Sequence, residues 1–320
     1  MTKLEAMIGR AKSIVILGHV NPDGDCVGSC LAVYNYIKEQ YGKDAAVCLG
    51  SPARKFSYLN GFDQIMNQPP SEKADLCICL DCSDAERLGE FRRCLEEAKE
   101  SICLDHHITN RGYAMENVID ADASSTCQVL FTQLDEEKIS KAVAECIYTG
   151  IIHDTGVFRY SNTSRETMEI AGKMMEKGID FSSIIDDSFY KKTHLQSQIL
   201  GRALFETVSF LDKQCIFTVI RKKDMEFYNV DKSDLDGIVD QLRIIEGVEC
   251  AIFLYEVGVH LYKVSLRSNK KVDVSKIASY FGGGGHIRAA GCTMSGSFHD
   301  VINNLSGHIE KQLSQESGDA

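Results

Sequence analysis

The sequence predicts an α/β protein, with a parallel-sheet N-terminal domain followed by a smaller α/β C-terminal domain. Three observations carry that prediction. Short apolar runs alternate with helix-period segments in the first half, the stretch from Ser124 to about Gln214 is mostly helical, and strand patterns return from Cys215 onward. Ser13 to Leu17 reads as the first strand. Val27, Leu31, Tyr34 and Ile37 then recur at helical spacing behind the turn residues Asn21-Pro22-Asp23-Gly24. Further strands fit Ala45 to Leu49, Asp75 to Leu80 and Ser101 to Leu104, with a surface helix over Ala85 to Lys99 between the last two. Strand, helix, strand in this order argues for a parallel sheet covered on both faces.

Helices are expected over Ser140 to Ile152, Ser164 to Lys177 and Thr193 to Glu206. Strands resume at Cys215 to Ile220, Glu249 to Val257 and His260 to Leu266. A helix over Val272 to Phe281 precedes the run Gly282-Gly283-Gly284-Gly285, and Val301, Leu305, Ile309 and Leu313 mark a final amphipathic helix. The polar tail from Ser314 to Ala320 is expected to fray. The domains expected from this pattern are residues 1–192 and 207–320, joined by a linker helix over 193–206.

With 44% apolar and 25% charged residues, the composition is that of an ordinary folded protein. A membrane span needs about 20 consecutive apolar residues, and the longest apolar runs here are a handful. Met1 to Arg10 lacks the apolar core and cleavage site of a secretory signal, so a cytoplasmic location is expected. Thirteen cysteines are scattered along the chain, several inside apolar strand patterns (Cys77, Cys79, Cys103, Cys215), where a thiol packs as a small hydrophobe. The pair Cys79-Leu80-Asp81-Cys82 has redox spacing but the wrong context, because Cys79 lies inside a strand rather than opening a helix. The formal charge of −11 repels a long polyanion, so no long nucleic acid and no membrane is expected as partner.

Four acidic or histidine clusters follow apolar elements. The first is Gly18-His19-Val20-Asn21-Pro22-Asp23-Gly24-Asp25, at the end of the first strand, where open α/β sheets bind ligands. Asp81-Cys82-Ser83-Asp84 follows the third strand, Asp105-His106-His107 the fourth, and His153-Asp154-Thr155-Gly156 closes a helical run. Each has a plainer reading: Asp, Asn, Gly and Pro form turns, and Asp23 or Asp25 caps a helix. A calcium loop fails, since its glycine and glutamate positions hold Cys26 and Ala32. What lifts the set is that three strands of one sheet all end in metal-type ligands. Mixed carboxylate and imidazole donors suit manganese, iron or zinc better than calcium. A pair of ions about 3.5–4 Å apart clamps the attacking and leaving oxygens of a phosphoryl transfer, and Asp81, central in strand order, is placed to bridge them.

These four ordered motifs resemble those of the DHH phosphoesterase superfamily, and Gly282-Gly283-Gly284-Gly285-His286 with Ala289-Ala290-Gly291 resembles the signature of the DHH-associated substrate-binding domain. The resemblance covers nearly the whole chain. It implies two divalent ions, most often manganese. His19, Asp23 and Asp154 would hold one, Asp25 and His106 the other, and Asp81 would bridge. Asp105 would orient its neighbouring histidine, and His107 would face the scissile phosphate or the attacking water. Arg267 would offer a bidentate fork to a phosphate, while Gly283, Gly284, Gly285 and His286 would approach it closely. Without that context a glycine run is commonly a flexible turn, and no Lys-Ser/Thr follows to make a nucleotide-binding loop. Arg288 reads as a surface arginine. Arg159, within Phe158-Arg159-Tyr160-Ser161-Asn162-Thr163, fits structure and substrate equally, and His153 fits packing or support of a ligand.

Within the superfamily, a chain of 320 residues lacks the extra domains of the larger exonucleases and the spans of membrane-bound members. The implied activity is that of the stand-alone NrnA-like enzymes. These hydrolyse short oligoribonucleotides, linear dinucleotides such as pApA, or 3′-phosphoadenosine 5′-phosphate. The alternatives are an inorganic pyrophosphatase or polyphosphatase, and a non-catalytic nucleotide sensor. A homodimer is among the states the sequence allows.

Overall fold

In the computed structural model, which describes residues 1–316, the chain divides into two units, Met1–Lys191 and Lys192 onward. The first unit opens with helix α1 (Lys3–Arg10), started by a reciprocal capping pair between Thr2 and Glu5. Strand β1 (Ile14–Leu17) leads into helix α2 (Gly24–Tyr41), then β2 (Ala45–Cys48), β3 (Ile65–Met66) and β4 (Leu76–Leu80). Helix α3 (Arg92–Glu97), β5 (Glu100–Asp105) and β6 (Glu116–Ile119) follow. Helices α4 (Thr126–Phe131), α5 (Lys141–Asp154), α6 (Arg165–Glu176) and α7 (Phe181–Ile185) come next. The strands lie in the order β3-β2-β1-β4-β5-β6, every neighbouring pair parallel.

Side chains on this sheet alternate between two buried faces. Ile14 and Ile16 of β1, with Leu76, Ile78 and Leu80 of β4, join the core made with α1, α2 and α5. Val15, Leu17, Cys77 and Cys79 join the opposite one. Because both faces are covered, the strands read as unbroken apolar runs. One face is lined by branched aliphatics and the other largely by thiols, including Cys48, Cys82 and Cys103. All thirteen cysteines are unpaired, and Cys82 donates its thiol hydrogen to the Asp84 carbonyl at 3.0 Å, so the Cys79–Cys82 spacing serves packing.

From β1 the chain runs outward through β2 to β3, then crosses back to β4 on the other side of β1. Strand order therefore reverses between β1 and β4, and the loops leaving their carboxyl ends part to form a crevice. Leu17 and Leu80 end these two strands, so His19 and Asp81 fall at that reversal.

The helix expected over Ala85 to Lys99 is not continuous. A 3₁₀ segment, Ala85–Phe91, is broken at Gly89 (φ 56°, ψ −130°) before α3 begins. Gly89 also lies against Val20, whose Cγ1 would be 2.5 Å from an added Cβ, so the bend lets this segment reach the first motif. The short edge strands β3 and β6 were not expected, having too few apolar residues to set a period.

The second unit contains helix α8 (His194–Phe205), strands β7 (Val208–Phe210) and β8 (Cys215–Ile220), and helices α9 (Lys222–Tyr228) and α10 (Ile238–Arg243). Strands β9 (Cys250–Gly258) and β10 (Leu261–Ser268), helix α11 (Val274–Tyr280), strands β11 (Gly284–His286) and β12 (Ala289–Ser295), and helix α12 (Phe298–Glu316) complete it. Its sheet has the order β11-β12-β10-β9-β8-β7, antiparallel except for β8 beside β9. α11 and α12 cover one face and α8 and α10 the other. The segment read as a linker is thus helix α8, whose Ile199 and Ala203 are buried in this second core. Helix α12 continues through Ser314 to Glu316, and the rest of the expected frayed tail lies outside the described residues.

Candidate metal centre

The first motif is shaped by the turn that joins β1 to α2. Asp23 is the N-cap of α2, its Oδ1 accepting from the amides of Asp25 and Cys26, both at 3.2 Å. The capping reading is therefore correct, and the same cap aims the loop so that His19 Nε2 stands 3.9 Å from Asp23 Oδ1 and 3.5 Å from Asp81 Oδ2. Asp25, in the first turn of the helix, is fully buried. Its carboxylate accepts from Thr126 N at 2.6 Å and Cys127 N at 3.0 Å, at the start of α4.

Two glycines allow that approach. A Cβ on Gly28 of α2 would lie 2.5 Å from the Cys146 carbonyl of α5, and one on Gly150 would lie 2.6 Å from Asp25 Oδ1. α2 and α5 pack backbone to backbone here, which brings Asp154 at the end of α5 to Asp25.

Asp81 follows β4 in the left-handed region, φ 55°, an uncommon conformation that Asp tolerates better than most residues. Its Oδ1 accepts from Thr126 Oγ1 at 3.1 Å and faces His106 Nε2 at 3.8 Å and His107 Nδ1 at 3.7 Å. His106 Nε2 is also 3.0 Å from Asp154 Oδ2 and 4.0 Å from Asp25 Oδ2, while its Nδ1 donates to the Ala123 carbonyl at 3.3 Å. That donation leaves Nε2 as the nitrogen presented to the carboxylates.

Asp105 is fully buried and turned away from this cluster. It accepts from the His106 amide at 2.9 Å, His107 Nδ1 at 2.7 Å and Asn110 Nδ2 at 2.7 Å. The ring it orients is therefore that of His107, while its hold on His106 is through the backbone. Asp154 is held through its own backbone: Asn162 Nδ2 donates to the carbonyls of Asp154 (3.1 Å) and Ser124 (3.0 Å). Beyond it the chain takes three left-handed residues, Gly156, Val157 and Phe158, steadied by Thr155 Oγ1 accepting from the Phe158 amide at 3.0 Å.

The grouping differs in one respect from that implied by the resemblance. Asp154 lies with Asp25 and His106, whose donor atoms fall within 4.8 Å of one another, rather than with His19 and Asp23. Asp81 groups with His19 on one side and with His106 and His107 on the other. Six expected ligands thus converge, with Asp81 between the two halves.

The electrostatics of the cluster call for a cation. Burial raises the carboxyls of Asp25 and Asp154 above their ordinary range, and the charge of Asp81 raises them further. Burial also works against Asp81, but His19, His106 and His107 outweigh it and hold that carboxyl at about 2. Burial disfavours charge on His19 and His106 too, yet Asp81 and the Cys26 sulfur push His19 up to about 10, and Asp154, Asp25 and Asp81 do the same for His106. Protons on the histidines here do what a divalent ion would do. His19 is 2% exposed and neither ring nitrogen closes a hydrogen bond, an arrangement that costs about 1–3 kcal/mol for each unsatisfied group. A metal ion satisfies it, and the donor set fits one.

His153 is not part of the centre. Its Nε2 donates to Ser188 Oγ at 3.1 Å, and its ring packs edge-on against Phe56 and Phe189 and over Gly24. Burial, with help from the Lys55 charge, lowers its imidazole to about 3, so it is a neutral packing residue.

In the second unit Arg267 sits on β10, but its Nε donates to Asp240 Oδ1 at 2.9 Å and one terminal nitrogen to the Leu266 carbonyl at 3.2 Å. Part of its fork is thus already engaged. The glycine run is explained at three of its four positions. Gly282 has φ 73°, just past the end of α11. Gly283 and Gly285 press on the neighbouring strand, with added Cβ atoms 2.1 Å from the Gly291 carbonyl and 2.4 Å from that of Ala289. At Gly284 an added Cβ meets nothing within 4 Å, so packing does not demand glycine there. His286 is exposed and pairs with Ala289 in the β11–β12 hairpin. Arg288 donates to the carbonyls of Val272 (2.9 Å) and Lys270, which makes it a clasp on that loop. Arg159 is exposed and makes no ion pair among the described residues.

Sequence reasoning missed Thr126, Asn110 and the Gly28–Gly150 contact. Ser125 before a helical run is a capping signal that locates the start of α4, which feeds Asp25 its amides. Nothing local marks Thr126 or the glycines.

The fold and this carboxylate–imidazole centre define a phosphoester hydrolase of metal-dependent type, and the chain belongs to the DHH family. The DHH family, N-terminal domain, matches residues 13–151, and the DHHA1 domain matches residues 212–315. Among curated relatives, the bifunctional oligoribonuclease and PAP phosphatase NrnA of Thermus thermophilus is 30% identical over 291 residues, 88% of this chain and 84% of that protein. The protein of the same name from Bacillus subtilis is 26% identical over 298 residues, 92% of this chain and 93% of its own. Among solved structures, an exopolyphosphatase-related protein from Bacteroides fragilis matches with a TM-score of 0.88 and 27% identity, covering 96% of this chain and 94% of that one.

Proposed function

We propose that the chain hydrolyses short oligoribonucleotides, linear dinucleotides such as pApA, or 3′-phosphoadenosine 5′-phosphate to mononucleotides. The observation that carries this reading is the convergence of His19, Asp23, Asp25, Asp81, His106 and Asp154 at the β1–β4 reversal, in a chain similar along most of its length to NrnA enzymes. These six residues are the proposed holders of two divalent ions, manganese being the ion the family resemblance implies. Such ions supply Lewis acidity and acidify water for attack on phosphorus.

The remaining work falls to side chains. Asp81 divides its two oxygens between the halves of the centre. Asp105 fixes His107 through Nδ1, so the proton exchange proposed for His107 is made at Nε2. In the second unit, Arg267 and His286 are the proposed contacts to a phosphate, with Gly284 the position of the run where backbone can be approached without a side chain in the way. Arg159 is a further proposed contact. The surplus of carboxylates over cations favours substrates with few phosphates over long chains.

A second reading, hydrolysis of pyrophosphate or polyphosphate, is kept by the exopolyphosphatase-related title of the similar structure. The test is mononucleotide release from pApA, a pentaribonucleotide and 3′-phosphoadenosine 5′-phosphate, with pyrophosphate alongside and Asp81→Asn as control. Turnover of the nucleotides that the mutant loses supports the first reading. Turnover of pyrophosphate alone moves the protein to the second, and no turnover with any divalent ion leaves a nucleotide sensor.

A further inference from the structure

We infer that Cys26 is a further protein ligand, through sulfur, for the ion held by His19, Asp23 and Asp81, so that the two halves of the centre prefer different metals. This rests on the reading of the cluster as a metal centre and adds a donor outside the six residues assigned above.

Cys26 is fully buried in the first turn of α2, and its amide is pinned to the Asp23 carboxylate at 3.2 Å. Its donor atom and those of His19 and Asp81 lie within 4.8 Å of one another, and all three residues are buried. Gly18 makes the placement possible, since a Cβ there would stand 2.3 Å from the Cys26 sulfur. His19 gives the second sign of a ligand: it is 2% exposed, its Nε2 stands 3.5 Å from Asp81 Oδ2, and neither ring nitrogen closes a hydrogen bond of good geometry, which leaves the ring aimed into this group.

The plain alternative is that Cys26 packs as a small hydrophobe, as a buried thiol commonly does. Its position argues otherwise, because among the described residues no other cysteine shares such a group with imidazole and carboxylate donors. The opposite half, Asp25, His106 and Asp154, offers only nitrogen and oxygen. Thiolate sulfur favours zinc and similar borderline ions, whereas carboxylate-rich sites accept manganese or magnesium. One half should therefore take a softer ion than the other.

The test uses the full-length protein, stripped of metal and titrated with Co²⁺ alone. Visible ligand-field bands report that the ion is bound, and a near-ultraviolet sulfur-to-cobalt charge-transfer band reports a thiolate ligand. The wild type should show both. Cys26→Ser and Cys26→Ala should keep the visible bands and lose the charge-transfer band, with Zn²⁺ affinity reduced roughly 10- to 100-fold. Cys94→Ser, at the one cysteine that is not fully buried, should keep both. Cadmium NMR of the wild type gives the same answer without a variant, as a resonance shifted toward sulfur ligation. Visible bands without charge transfer, or a charge-transfer band that survives in Cys26→Ser, overturn the inference while leaving the metal centre standing. Failure of Co²⁺, Zn²⁺ and Mn²⁺ all to bind overturns both.

Discussion

Asp105 and His153 show how little a residue's name says about its task. Asp105 belongs to the motif that names the family, yet its carboxylate accepts from the His106 amide, His107 and Asn110. Asp105→Asn preserves the shape and replaces a charge that fixes the His107 ring. Turnover is expected to fall about 10- to 100-fold, as for other partners that orient active-site histidines, while bound metal stays stoichiometric. Unchanged kcat would remove His107 from the mechanism. His153 stands beside the candidate ligand Asp154 but is held neutral, at about 3 against an ordinary value of 6.5. Because the folded value lies below the unfolded one, its contribution is complete above about 6.5 and is lost as the pH falls toward 3. His153→Phe should therefore flatten the drop in Tm between neutral pH and pH about 5; an unaltered slope would place the acid sensitivity elsewhere. From sequence alone, packing and ligand support were equal readings of His153, because the Phe56, Phe189 and Ser188 that surround it come from distant segments.

At the scale of elements, periodicity placed the central strands within a residue or so, since β1 and β4 are fully buried runs and β5 nearly so, with no competing pattern. It failed over Ala85 to Lys99, where charged and apolar residues mimic a helix and one glycine with positive φ breaks it. The candidate ligands could be named from the sequence, but which of them lie side by side could not. Asp154 joins Asp25 because α2 and α5 touch at Gly28 and Gly150, and a helix–helix crossing leaves no local trace in sequence. That crossing gives a contrast between glycines. Gly150→Ala forces a Cβ against Cys127 Sγ at 2.3 Å and Asp25 Oδ1 at 2.6 Å, and should cost about 1–3 kcal/mol of stability together with metal affinity. Gly284→Ala meets nothing within 4 Å, so Tm should hold while KM for nucleotide rises. Denaturation curves beside kinetics separate the two, and a destabilised Gly284→Ala would show that its glycine serves the fold.

For the whole molecule, the clustered acids make folding and ion binding one equilibrium. Burial and mutual repulsion raise Asp25 and Asp154, so any divalent ion that enters relieves strain that exists only in the native state. Saturation at about 100 times Kd adds close to 2.7 kcal/mol, which thermal scans with and without chelator should register as a higher Tm for the loaded protein. Equal Tm values would argue against binding at this cluster. The negative formal charge of −11 belongs to this scale too: hydrolysis is expected to weaken as RNA is lengthened, and a rate that rises with length would point to a basic track that the sequence does not announce.

The reversal of strand order has a consequence for the timing of assembly. β1 and β4 meet with Ile14 opposite Leu76, so their contact closes a long loop, and pairings of that kind form slowly. His19 and Asp81 come within reach of each other only once that contact exists, and Asp154 reaches Asp25 only when α5 has packed on α2. Ion capture therefore has nothing to grip in the early collapsed chain and follows the sheet instead of guiding it. Interactions made after the transition state slow unfolding without hastening folding. Stopped-flow measurements with and without divalent ion should give matching refolding rates and a slower unfolding arm in its presence. Faster refolding with metal would mean that a subset of ligands gathers before the sheet is complete.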